Sequence, residues 1–96
     1  MPKGYWIAHI TVKDPVVYES YRAINSKAFD TYGGRFLVRG GQHEITRGTS
    51  RDRHVIVEFP SYQAARDCYA SPEYAEAKAI FDRAAESDLV IIEGAA

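Results

Sequence analysis

The stretch YWIAHITVKDP, residues 5–15, decides the fold. Residues 5–12 are rich in β-branched and aromatic side chains, the composition of a strand. Trp6, Ala8, Ile10 and Val12 fall on one face of that strand, and Tyr5, Ile7, His9 and Thr11 on the other. Asp14 and Pro15 then open a helix. An Asp side chain can accept a bond from a free backbone N–H of the first turn, and Pro suits the first helical position. The chain thus begins β-α.

Working outward, Val17, Tyr21, Ile24 and Ala28 keep helical spacing, with Tyr18, Asn25, Phe29 and Tyr32 as an adjoining row. The helix should run to about Tyr32, where Gly33 and Gly34 stop it. RFLVRG, residues 35–40, is a second strand; Gly40-Gly41 predicts a bulge or bend, with strand continuing through Gln42 to Thr46. A polar turn leads to a third strand, Arg53 to Phe59. Pro60 ends it and Ser61 caps a helix starting near Tyr62. Ser71-Pro72-Glu73 repeats the cap-then-proline signal, so a second helix follows with Tyr74, Ala77, Phe81 and Ala84 inward. Asp88 to Glu93 is the last strand.

The order β-α-β-β-α(α)-β is that of an α+β, ferredoxin-like fold with a four-stranded antiparallel sheet and its helices on one face. The 96 residues fit a single domain, 1–96. One helical layer leaves the second sheet face uncovered. That face carries Ile7 and Ile56 among Tyr5, His9, His54 and Glu58, a poor solvent surface but a suitable dimer surface. A homodimer through the open sheet faces is the expectation.

The net charge is −1, which argues against nucleic acid as a partner of the whole chain. Residues 35–54 nonetheless hold five Arg against Glu44 and Asp52, a local balance of +3 where an anionic ligand or a solvated hairpin fits. One Cys excludes an internal disulfide. With no apolar run long enough to span a bilayer and no signal-like segment, a cytoplasmic location without membrane contact is expected.

The candidate catalytic group is His9, Arg39 and Glu58. With the third strand between the first and second, Glu58 can neighbour both of the others. A carboxylate beside an imidazole raises its basicity, while the guanidinium holds an anion. The alternative is an ion pair that fixes dimer register. Asn25, polar in an apolar row, is a candidate ligand-pocket residue, or else an amide at the rim bonded to water or backbone. Tyr69 and Tyr74 would flank a cavity mouth if the break at Ser71-Pro72 opens one. Cys68 reads as a packing residue. His9, His43 and His54 show no metal-ligand spacing, and no phosphate-cradling loop is present, so neither metal nor cofactor is expected.

GGRFLVRGG (33–41), VEFPSYQAA (57–65), YASPEY (69–74) and LVIIEG (89–94) together resemble domain-of-unknown-function family 1330, of the dimeric α/β-barrel superfamily. The resemblance runs from Gly4 to Gly94. It implies a ferredoxin-like protomer and a dimer with facing sheets, but no established site residues. Arg39, Gly40, Gly41, Glu58, Ser71 and Tyr74 are members of its pattern only. The wider superfamily includes cofactor-free monooxygenases, small isomerases and decarboxylases, haem-handling enzymes and ligand sensors. Three readings stay open: a cofactor-independent enzyme acting on a small anionic or aromatic metabolite, a non-catalytic binding or sensing module, and a purely structural homodimer.

Overall fold

The structure, a computed structural model, describes residues 2–96. The elements are β1 (Gly4–Val12), α1 (Pro15–Thr31), β2 (Arg35–Arg39), β3 (Arg53–Phe59), α2 (Tyr62–Tyr69), α3 (Pro72–Ala84) and β4 (Ala85–Glu93). The strands form one antiparallel sheet in the order β2-β3-β1-β4. This is the ferredoxin-like arrangement read from the sequence.

Local chemistry sets the boundaries. Asp14 accepts a bond from the Val17 amide at 3.1 Å, and Pro15 occupies the first turn of α1. At the other end Gly33 has φ of 77°, which brings the Gly34 amide 2.7 Å from the Phe29 carbonyl and the Gly33 amide 3.3 Å from that of Asp30. This paired closure satisfies carbonyls that the helix leaves free. Ser61 and Ser71 cap α2 and α3 through the amides of Ala64 and Tyr74.

The core lies between the helices and the inner sheet face. The Trp6 indole sits at its centre, with ring centroids 5.0 Å from Tyr74, 5.1 Å from Phe29 and 5.5 Å from both Phe59 and Tyr69. Its N–H donates to the Ala65 carbonyl at 2.8 Å, so the ring is buried without an orphaned donor. Cys68, fully buried, packs in this core, and burial pushes its thiol up to about 12.

Three boundaries differ from expectation. The bulge falls at Leu37: Phe36 pairs with Val57 and Val38 with Ile56, leaving Leu37 unmatched. Strand β2 ends at Arg39, and Gln42 to Thr46 is an exposed loop. Gly40 and Gly41, with φ of 77° and 102°, turn the chain away from the sheet there. Strand β4 starts three residues early, at Ala85, because β1 is long enough to pair with it as far as Val12.

The outer face carries no helix. Tyr5, Ile7, His9 and Thr11 of β1 stand opposite Glu58, Ile56 and His54 of β3, and opposite Ile92, Val90, Asp88 and Glu86 of β4. Val90 is 52% exposed and Ile92 46%, which leaves an apolar strip open to water.

Candidate functional site

The bulge at Leu37 determines where the candidate residues go. Arg35 pairs with Glu58 on the outer face, and strict alternation would put Arg39 there too. The extra residue reverses the alternation, so Arg39 pairs with Val55 and joins the inner face. Its guanidinium lies 4.2 Å from the centre of the Phe36 ring.

His9, Arg39 and Glu58 therefore do not meet within the protomer. Glu58 takes a bond from Arg35 Nε at 2.9 Å and another from the Tyr5 hydroxyl at 3.1 Å. The Arg35 bond chiefly holds its carboxyl below the usual range, and the Glu58 carboxylate in turn raises the Tyr5 phenol. His9 stands opposite His54, with their Nδ1 atoms 2.8 Å apart. Since Glu58 pairs with Tyr5, it lies four positions along β1 from His9, roughly 13 Å at strand rise. His43 adds a ring 4.5 Å from that of His54. Burial first, and then its two histidine neighbours, lowers the pKa of His54. Among the described residues, no group of three or more His, Cys, Asp or Glu side chains is arranged to hold a metal ion.

The inner face presents a different constellation. A cavity of about 80 Å³ lies between α1, α3 and the sheet. Its walls are mainly aromatic and aliphatic, with Trp6, Phe29, Phe36 and Phe81 prominent. Asn25, Tyr69, Tyr74 and Arg39 all line it, while His9 and Glu58 do not.

Polar groups are few and placed at two levels. Deep inside, the hydroxyls of Tyr21 and Tyr74 are 2.9 Å apart. Burial raises the pKa of both, so they remain neutral donors. The mutual bond uses one of their two protons and leaves the other free to donate. Asn25 is 3% exposed, and among the described residues its Oδ1 has no partner; nor does the buried Nε of Arg22, one helical turn away. Nearer the surface stand Arg39, Arg53, Lys78 and Asp82. Lys78 is tied to Asp82 at 3.1 Å and Arg22 to Glu19 at 2.9 Å. Arg53 Nε donates to the Tyr18 hydroxyl at 3.0 Å. Among the described residues, Arg39 and Arg53 form no ion pair. Gly40, with positive φ, lies against Arg53: a Cβ there would stand 2.7 Å from Nη1.

Sequence reasoning missed Arg22, Arg53 and Tyr21 as site residues, and the bond that joins Tyr21 to Tyr74. A signal existed for Arg53, which shares parity with the inward Val55, Val57 and Phe59. None existed for the contact between Tyr21 and Tyr74, which depends on how α1 packs on α3.

The fold and cavity define a ferredoxin-like α+β protein with a helix–sheet pocket. The family model for a domain of unknown function, DUF1330, matches residues 3–95, and the chain belongs to that family. No curated protein matches it in sequence. Among solved structures, the chain is similar to RPA0582 of Rhodopseudomonas palustris, a protein of unknown function, at 20% identity and a TM-score of 0.74, covering 99% of this chain and 84% of that one. It is similar to SnoaB, a cofactor-independent oxygenase from Streptomyces nogalater, at 16% identity and a TM-score of 0.67, covering 100% and 96%. A dimeric protein of unknown function and ferredoxin-like fold from Bacteroides fragilis gives 16% identity and a TM-score of 0.62, covering 95% of each chain. At these identities the likeness is one of fold.

Proposed function

We propose that this protein is a cofactor-independent enzyme for a small molecule, acting in the helix–sheet cavity of each protomer of a homodimer. The observation that carries this reading is an aromatic cavity with a neutral hydroxyl pair at its base and two guanidiniums without carboxylate partners at its rim. Neutral phenols fixed in an apolar wall suit a reaction that builds negative charge on a substrate oxygen, since they donate without reorganising. Arg39 and Arg53 orient an anionic substrate against them. The fold likeness to a cofactor-independent oxygenase supports the reaction class, and the uncovered apolar outer face supports the homodimer. The ligand-free role of Glu58 is to tie β3 to Arg35 and Tyr5.

A second reading, binding without turnover, has one observation in its favour. Among the described residues, the cavity lining contains no His, and its one carboxylate, Asp82, is engaged by Lys78. The two readings separate when the purified protein is incubated aerobically with small aromatic acids, without added metal or cofactor. Product is followed by proton NMR and dissolved oxygen by electrode. Turnover that disappears in a folded, dimeric Arg39→Ala variant supports the enzyme. Saturable binding without product supports the binding module, and neither signal in the wild type contradicts both.

A further inference from the structure

The unsatisfied groups of the cavity describe the ligand that would satisfy them. Two of them lie on α1: Asn25 Oδ1, an acceptor, and Arg22 Nε, a donor, both buried and without partners among the described residues. Separated by three positions, they share a helix face, and both residues line the cavity. Buried polar groups are costly to leave unpaired, so a ligand that both donates and accepts at this point removes two penalties together. If the Asn25 amide is turned over, the orphan becomes an N–H, and the demand for a polar ligand group remains. A hydroxyl meets it in either orientation, because it is donor and acceptor at once.

The second demand is for negative charge. Arg53 is fixed beside Tyr18, its Nε donating to that hydroxyl and its guanidinium carbon 5.5 Å from the ring centre. Its remaining N–H groups and those of Arg39 are left without carboxylate partners, on a rim that is open to solvent. Tyr18 and Asn25 are seven positions apart on α1, about 10 Å along the helix axis. A ligand with one planar ring between its polar ends spans that interval once a hydrogen bond of about 2.8 Å is added at each end. The aromatic walls favour such a ring over a flexible chain, since edge and face contacts with Trp6, Phe29 and Phe81 are available to it.

We infer that the cavity takes a small aromatic hydroxy acid, its hydroxyl at Asn25 and Arg22 and its carboxylate between Arg39 and Arg53. This rests on the cavity being the working site, as proposed above, and adds the class of ligand.

Three probes of matched shape test it: 4-hydroxybenzoate, benzoate and phenol, titrated calorimetrically with the wild-type protein. The Trp6 indole N–H resonance reports entry into the cavity. The expected result is that 4-hydroxybenzoate binds about tenfold or more tightly than either of the others, the scale of a buried or charge-assisted hydrogen bond. Arg39→Gln, on an exposed side chain that folding does not need, should bring 4-hydroxybenzoate down to the affinity of phenol and leave phenol unchanged. Asn25→Leu should bring it down to the affinity of benzoate. Equal binding of all three, with the Trp6 signal shifted, overturns the hydroxy-acid assignment while leaving the cavity as a ligand site. Failure of every probe to shift that signal at saturating concentration overturns the assignment and the cavity reading together.

Discussion

Tyr21 and Tyr74 hold their hydroxyl oxygens 2.9 Å apart across the junction of α1 and α3, both rings buried against the core around Trp6. This bond joins the two helices at the base of the cavity. Removing one hydroxyl leaves the other partly unsatisfied in an apolar place, whereas removing both leaves nothing to satisfy. Tyr74→Phe should therefore cost about 1–3 kcal/mol, and the Tyr21→Phe/Tyr74→Phe double variant less than the sum of the single losses. Urea unfolding of the three variants measures this. A fully additive double variant would show that the hydroxyls act independently.

Arg39 contributes through function rather than stability. It is exposed and rests on the half-buried Phe36 ring, so Arg39→Ala should change the unfolding free energy by within about 1 kcal/mol. The same substitution should weaken binding of a carboxylate probe about tenfold or more, to the affinity of its uncharged analogue, and the wild-type affinity should fall as salt is raised. Retained carboxylate affinity in the variant would assign the rim charge to Arg53 alone.

The His9–His54 pair makes stability fall with acid. A 2.8 Å contact between two Nδ1 atoms needs one to donate and the other to accept, so both imidazoles cannot be charged. The groups facing the pair are His43, Asp52 and, from β4, Asp88, which Arg51 holds at 3.2 Å. The native pKa of His54 is lowered, so below about 6.5 the unfolded chain binds more protons than the folded one. Above about 6.5 this depression costs nothing, and stability is lost as pH falls through 6.5 toward the native value. Denaturant midpoints at pH 7.5 and 5.5 should differ accordingly, and His54→Gln should flatten the difference. An unchanged slope in that variant would place the acid sensitivity elsewhere.

The outer face is expected to be closed by a second copy of the chain. Ile7 and Val90 are register partners on that face, and a carboxylate placed there would be buried unpaired in a sheet-to-sheet dimer. Val90→Asp should yield a monomer in sedimentation velocity at micromolar concentration while the far-ultraviolet circular dichroism stays native. A dimer that survives the substitution would locate the interface on another surface.

Much of this was legible in the residues. Capping and proline signals placed every helix start, and alternation in β1 and β3 divided the sheet into its two faces. Asn25 stood out because it interrupts an apolar row, and Tyr74 because it follows the helix break at Ser71-Pro72. That Arg39 does not join Glu58 has a definite reason. A bulge at Leu37, in a strand without Gly at that point, has no signature in RFLVR and reverses every side chain after it. The Tyr21–Tyr74 bond and the orphaned Arg22 Nε arise from helix packing, which local pattern does not encode.

The most direct test of the account is the crystal structure of the protein soaked with 4-hydroxybenzoate. The ring should lie between α1 and the sheet, its hydroxyl within hydrogen-bonding distance of Asn25 and its carboxylate against Arg39 and Arg53. An empty cavity at saturating ligand, or a ligand bound instead on the outer face beside His9 and His54, would contradict it.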